Sequence, residues 1–451
     1  MDDRLIVRAG EVQRREMARF GERTTASKRL YDRAIALLPL GVASSFQAND
    51  PYPIYLDRGR GSRVWDVDGN EYVDFHNGFG TMAVGHAHPK VAQAIERAAR
   101  NGTHFAATTE VTVALAEELC RRFRLDRVRF NNSGTESTMD AIRTARAATG
   151  RDVIVKIEGS YHGHHDAVMF SVVPGAGVMG GRDQPASAPM SLGIPADTAE
   201  RTLVVPFNDA PAFERILAQR GEDIACLIME PVMMNIGIVL PHPGYLETVR
   251  DLCTKHGVVL IFDEVKSGAT IAEGGATERF GVRPDLACFA KAIGGGAPLG
   301  AFGGTAAVME IIGRGAAQQG TFNGNPLAAS AGLAALTEVL TKDAYEHLAR
   351  LGTQLAEGCQ KAIADHGIPA HTVDLGCKGC VSYRSEPLTN YRDFLETHTE
   401  LFEASWPWMV NREVFMTPGD EEQWTISVQH SEDDIARYVD AFGEFCTELA
   451  G

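Results

Sequence analysis

Three apolar runs in the second half of this chain each end in an ionisable residue. Residues 226–229 run into Glu230, residues 258–262 into Asp263 and Glu264, and residues 286–290 into Lys291. In an open parallel sheet the carboxyl ends of the strands line the ligand crevice, so this pattern predicts that the side chains converge on one edge. A lysine that closes an apolar strand and is followed by Ala-Ile-Gly-Gly-Gly is a candidate for a desolvated, nucleophilic amine. A fourth run, residues 128–130, leads through Asn131 and Asn132 into Ser133-Gly134-Thr135 and a helix. There Ser133 caps the helix while free backbone N–H groups and the positive helix end suit a phosphate. A fifth run, residues 153–156, is followed by Gly159-Ser160-Tyr161-His162-Gly163, which brings an aromatic ring to the same edge. An amine, an anion hole, carboxylates and a ring are the parts that a planar aromatic cofactor bearing an aldehyde and a phosphate would use.

Other groupings are weaker. His162, His164, His165 and Asp166 resemble metal ligands, but alternating loop histidines are not a defined coordination pattern. Cys377-Lys378-Gly379-Cys380 is the one C-x-x-C, with no second ligand pair at zinc spacing, so we read it as a turn with two thiols and expect no metal.

The elements that must position these residues follow from the hydropathy pattern. From about residue 90 to 335 helices alternate with short apolar runs, the signature of parallel strands buried on both faces by crossover helices. We expect an α/β fold with an N-terminal arm and hairpin (1–75), a large cofactor-binding domain (76–335) and a smaller α+β domain (336–451). The hairpin is expected over residues 63–75, where alternation brackets Asp68-Gly69-Asn70. Long helices are expected at 344–366 and 433–449. Residues 172–195, rich in Gly, Pro and Ser, read as a long loop of the kind that covers or lines a site.

Bulk properties narrow the function. The 451 residues carry 43 Lys and Arg against 59 Asp and Glu, a formal charge of −16, with no basic run, which argues against nucleic acid or an anionic membrane as partner. No apolar stretch approaches the ~20 residues that span a bilayer, and the charged start does not read as a secretory signal. Eight scattered cysteines suit a reducing compartment, so a cytoplasmic location is expected.

In combination these motifs have a family likeness. GHAHP (85–89), FNNSGTES (130–137), YHGHHD (161–166), MEPV (229–232), FDEV (262–265), PDLACFAKAIGGG (284–296) and GTFNGNP (320–326) resemble the class III, fold type I aminotransferases that use pyridoxal 5′-phosphate (PLP). Among these the chain looks most like the glutamate-1-semialdehyde 2,1-aminomutase members. The resemblance implies a mixed, mostly parallel seven-stranded sheet, with Lys291 as the covalent cofactor anchor and Asp263 paired with the pyridine nitrogen. It further implies Tyr161 and Val265 on the two ring faces, Asn235 at the phenolic oxygen, and Ser133, Gly134 and Thr135 at the phosphate. Thr321 would reach the phosphate in a neighbouring subunit, so a homodimer is implied.

Departures from that pattern concern the substrate. Where the aminomutases place an arginine that meets the substrate carboxylate, this chain has Gln47, and an amide cannot form the bidentate charge-assisted pair. Residues 266–270, Lys-Ser-Gly-Ala-Thr, stand where the aminomutase pattern has M-T-G-F-R, and Phe79 replaces a tryptophan, while Glu422 matches the family's C-terminal glutamate. A less cationic pocket predicts an aminotransferase that moves an amino group between an amine or a β- or ω-amino compound and a keto acid. The alternative is an intramolecular aminomutase in which another basic group, such as Arg182 on the 172–195 loop, replaces the lost contact.

Overall fold

The computed structural model describes residues 3–419 and 423–451. The chain begins with two helices, α1 (Asp3–Arg23) and α2 (Thr25–Ala34). Three antiparallel strands follow: β1 (Leu56–Arg60), β2 (Arg63–Asp66) and β3 (Glu71–Asp74). The expected hairpin is the β2–β3 pair, and Asp66 builds its turn by accepting from the Asp68 and Asn70 amides at 3.0 and 2.8 Å. A short strand from the far end of the chain, Val414–Phe415, adds to β3 in parallel, so the N-terminal hairpin and the C-terminal region share one sheet.

The large sheet has seven strands: β4 (Arg127–Asn131), β5 (Val153–Ile157), β6 (Thr202–Val205), β7 (Ile224–Met229), β8 (Val259–Asp263), β9 (Leu286–Phe289) and β10 (Gly300–Gly304). Their order is β4-β10-β9-β8-β7-β5-β6, with β10 antiparallel to both of its neighbours and the other pairings parallel. Every residue of β5, β7, β8, β9 and β10 is buried, the consequence of helices covering both faces. This is the mixed, mostly parallel α/β sheet expected from the sequence. Strand β10 was not expected, because Gly-Ala-Phe-Gly-Gly lacks strand character. Its glycines answer to close backbone approach: a Cβ on Gly304 would lie 1.9 Å from the Asp285 carbonyl oxygen, and one on Gly303 2.4 Å from that of Arg127.

Helix α3 (Gly134–Thr149) follows β4, and the C-terminal region carries α4 (Lys342–His366) and α5 (Glu432–Ala450), both close to their expected positions. A full capping box between Ser431 and Asp434 starts α5. Cys377 and Cys380 are buried, the Cys377 thiol donating to the Ile426 carbonyl at 3.2 Å. Among the described residues no helix is long and apolar enough to cross a membrane. Residues 172–195 form mostly irregular chain, interrupted by a two-residue pairing of Gly180–Gly181 with Gln184–Pro185.

Candidate active site at the carboxyl edge of the sheet

The strand-end residues meet at one cavity of about 280 Å³, near the lower end of the ~300–1,000 Å³ of small-molecule sites. Its wall includes Glu230 after β7, Asp263 ending β8, and Lys291 after β9, as the run endings predicted. Lys291 sits at φ 52°, a left-handed conformation that costs a side-chain-bearing residue of order 1–3 kcal/mol and persists where surrounding structure enforces it. The glycines that follow accommodate the tight turn, with Gly295 at φ 56°.

Gly134 and Thr135, at the start of α3, line the same cavity. Ser133 caps α3 by accepting from the Glu136 amide at 3.2 Å, as its type predicted, though it lies exposed and outside the lining. A Cβ on Gly134 would come within 3.0 Å of a Val265 methyl, so glycine lets the helix end close against the cavity wall. Tyr161, Asn235 and Val265 also line it. Burial pushes the Tyr161 hydroxyl pKa up, with the Asp263 charge adding to the effect.

Two carboxylates are organised here, in different ways. Asp263 Oδ1 accepts the Val265 amide at 3.0 Å, and Oδ2 lies 2.7 Å from His162 Nδ1. A carboxylate only accepts, so that bond places the imidazole proton on Nδ1. His162 is fully buried, and its Nε2 has no partner among the described residues. The sequence singled out His162 only as a poor metal ligand and missed this pairing, for which Tyr-His-Gly at a strand end was the only signal. Glu230 accepts from the amides of Tyr161 at 3.3 Å and Met234 at 2.8 Å. Burial raises its pKa, opposed by His162 and reinforced by Asp263. Glu264, by contrast, is structural: it accepts from Ser267 at 3.0 Å and the Ala276 amide at 2.7 Å, and burial pushes its pKa up to about 7.

The substrate-side residues divide. Phe79 lines the cavity, packed against Phe46 at 6.1 Å between ring centroids, and Phe46 meets the Tyr161 ring edge-on at 5.3 Å. Gln47 is exposed and outside the lining, and Glu422 lies outside the described residues. The pocket, expected to be less cationic than that of the aminomutases, has Lys266 in its wall, 8% exposed, with Nζ donating to the Met234 carbonyl at 2.6 Å. Position 266 had been read only for what it lacks. Thr321 is exposed and does not line this cavity. His165 donates to or accepts from Thr138 at 3.3 Å, and no group of three or more potential ligands is placed to hold a metal among the described residues.

Comparison with known proteins decides the family, because the Aminotransferase class-III model matches residues 45–376. The chain belongs to the class III aminotransferases. A glutamate-1-semialdehyde 2,1-aminomutase of Sorangium cellulosum is 43% identical over 429 residues, covering 94% of this chain and 96% of that protein. The crystal structure of an omega-transaminase from Sphaerobacter thermophilus superimposes with a TM-score of 0.90 at 35% identity, covering 94% and 98%. A transaminase with PLP bound does so at 0.86 and 32%, covering 95% and 98%. This class III aminotransferase is therefore a PLP-dependent enzyme, and the residues present fit that cofactor. The cavity offers an amine, a carboxylate backed by a buried imidazole, a side-chain amide and a glycine-opened helix start, all on its wall.

Proposed function

We propose that this enzyme performs amino transfer of the aminomutase kind, in which one small carboxylate-bearing amino-carbonyl compound, glutamate-1-semialdehyde or a close analogue, is donor and acceptor at once. The observation that carries the reading is the 43% identity, over nearly the full length of both chains, to a protein named as that aminomutase. It reverses the preference drawn from Gln47, and Lys266 in the cavity wall removes part of the ground for that preference.

Bound PLP supplies an electron sink for the carbanion formed next to the substrate nitrogen. In this reading Lys291 would anchor the cofactor and then carry the proton between the substrate carbon and the cofactor's C4′ carbon as general base and acid. Asp263 faces the ring nitrogen and holds a positive charge there, with His162 fixing the carboxylate's orientation. Tyr161 and Val265 exclude water from the two ring faces, Asn235 meets the phenolic oxygen, and Ser133, Gly134 and Thr135 hold the phosphate. Lys266 gives the substrate's carboxylate an opposite charge in the wall. We further propose a homodimer in which Thr321 completes the partner's phosphate site. Phe322 and Phe105, 57% and 52% exposed, are large apolar groups that a second copy would cover.

A second reading, intermolecular transfer from an amine or β- or ω-amino compound to a keto acid, is favoured by Gln47 and by the 35% identity to an omega-transaminase. Incubation with glutamate-1-semialdehyde alone separates the two. The aminomutase reading expects rearrangement with no added keto acid, and turnover that strictly requires a keto acid overturns it in favour of the second.

A further inference from the structure

Residues 158–161 form the turn that presents Tyr161. The sheet holds its start, with the Glu158 amide donating to the Val205 carbonyl at 2.9 Å, and side chains hold the rest. Lys156, fully buried in β5, donates to the carbonyls of Ile157, Ser160 and Phe170 at 3.2, 3.0 and 2.7 Å, holding the turn from beneath. From the side comes Arg392, 234 residues away in sequence. Its guanidinium forks onto buried Glu158, Nε to Oε2 at 3.0 Å and Nη2 to Oε1 at 2.8 Å. Nη1 of the same group donates to the Gly180 carbonyl at 3.1 Å, and Nη2, shared with Glu158, also lies 3.2 Å from the Met179 and Gly181 carbonyls, in the middle of the 172–195 loop. Tyr391 repeats the arrangement. Its hydroxyl donates to the Pro174 carbonyl at 3.0 Å, and its side chain packs on Gly159, where a Cβ would meet it at 2.7 Å.

We propose that Arg392 is a positioning residue that couples the 172–195 loop to the turn carrying Tyr161. A planar guanidinium has five N–H donors in a fixed fork, enough to saturate a carboxylate on one side and loop carbonyls on the other. The loop's own backbone pairing is only two residues long, and Arg392 adds side-chain bonds to it at that point. Loosening either attachment leaves Glu158 with a weakened counter-charge in a buried setting, so the loop and the turn share one set of contacts and move together. The coupling is independent of whether the amino group moves within one molecule or between two.

The test uses the holoenzyme with Arg392→Ala, Arg392→Lys and Glu158→Gln. Trypsin cleavage after Arg182, which is exposed beside the held carbonyls, reports the loop when quantified by mass spectrometry. The visible circular dichroism of the bound cofactor reports the Tyr161 side. In Arg392→Ala we expect cleavage about tenfold faster or more, as for a segment losing its main local restraint, together with a changed cofactor dichroism. Arg392→Lys should fall between, and Glu158→Gln should accelerate cleavage although it touches no loop residue. Unchanged cleavage, or faster cleavage with unchanged dichroism in all three variants, overturns the coupling. Should Arg392→Ala fail to fold, Arg392→Lys and Glu158→Gln decide by the same two readouts.

Discussion

The edge that carries Asp263 and Lys291 and the turn that carries Tyr161 and His162 face one cavity, but they are positioned by different physics. At the edge, Asp263 is the last residue of β8 and Lys291 lies two residues beyond the end of β9, so backbone ladders fix their places. At the turn, a backbone bond from Glu158 to Val205 is joined by side chains reaching in: Lys156 from below, Arg392 from the side, and Glu230 accepting the Tyr161 amide. His162 Nδ1 to Asp263 Oδ2 joins the turn to the strand end that carries the ring-facing carboxylate. Local sequence therefore dictates the first region, and the tertiary fold dictates the second.

Removing the edge's amine should have the largest effect. Lys291→Ala should fold, lose covalent cofactor attachment and lose about 10³-fold or more in turnover, since positioned proton transfer alone contributes ~10²–10⁴. Steady-state rates on purified protein check this. Asp263→Asn comes next, with a fall of about 10²–10³ in kcat as the preorganised charge at the ring nitrogen is lost. His162→Leu should cost about tenfold, because the imidazole orients the carboxylate without touching substrate. Here the double variant sharpens the comparison: if edge and turn act as one unit, His162→Leu should cost little more once Asp263 is Asn, whereas independent losses would separate the regions.

The smallest effect is on stability, and it belongs to the turn. Burial pushes the Lys156 ammonium pKa down to about 7 from the usual 10.5, with Glu230 and Glu158 opposing the shift. Between those values the unfolded chain keeps a proton that the folded chain has shed, so the group's contribution to stability rises with pH through that window. From pH 7 to pH 9 the wild type should gain about 2 kcal/mol relative to Lys156→Met in denaturant unfolding. A flat difference would mean that Lys156 stays charged throughout.

What the sequence disclosed follows the same division. Apolar runs ending in Asp263 and Lys291, and a capped helix start at Ser133, were legible because strand, residue and role are adjacent in the chain. Strand β10 was not, since its glycines are dictated by the Asp285 and Arg127 carbonyls pressed against it. Nor was the His162–Asp263 pair, 101 residues apart, or Arg392 on Glu158, 234 apart. Lys266 was read incompletely for a related reason. Its departure from the aminomutase pattern was visible, but only the fold shows that this residue lines the cavity, with Nζ on the Met234 carbonyl. Gln47, on which the substrate preference leaned, is exposed outside that wall.

We propose that half-buried Lys291, rather than the buried Lys266 or Lys156, is the amine that holds the cofactor. Three lysines compete on geometry: Lys291 and Lys266 in the cavity wall, and Lys156 beneath the Tyr161 turn. Borohydride reduction of the holoenzyme, followed by peptide mapping, locates the cofactor on one of them. The account predicts the label on the peptide containing Lys291 and its loss in Lys291→Ala; label on Lys266 or Lys156 in the wild type would contradict it.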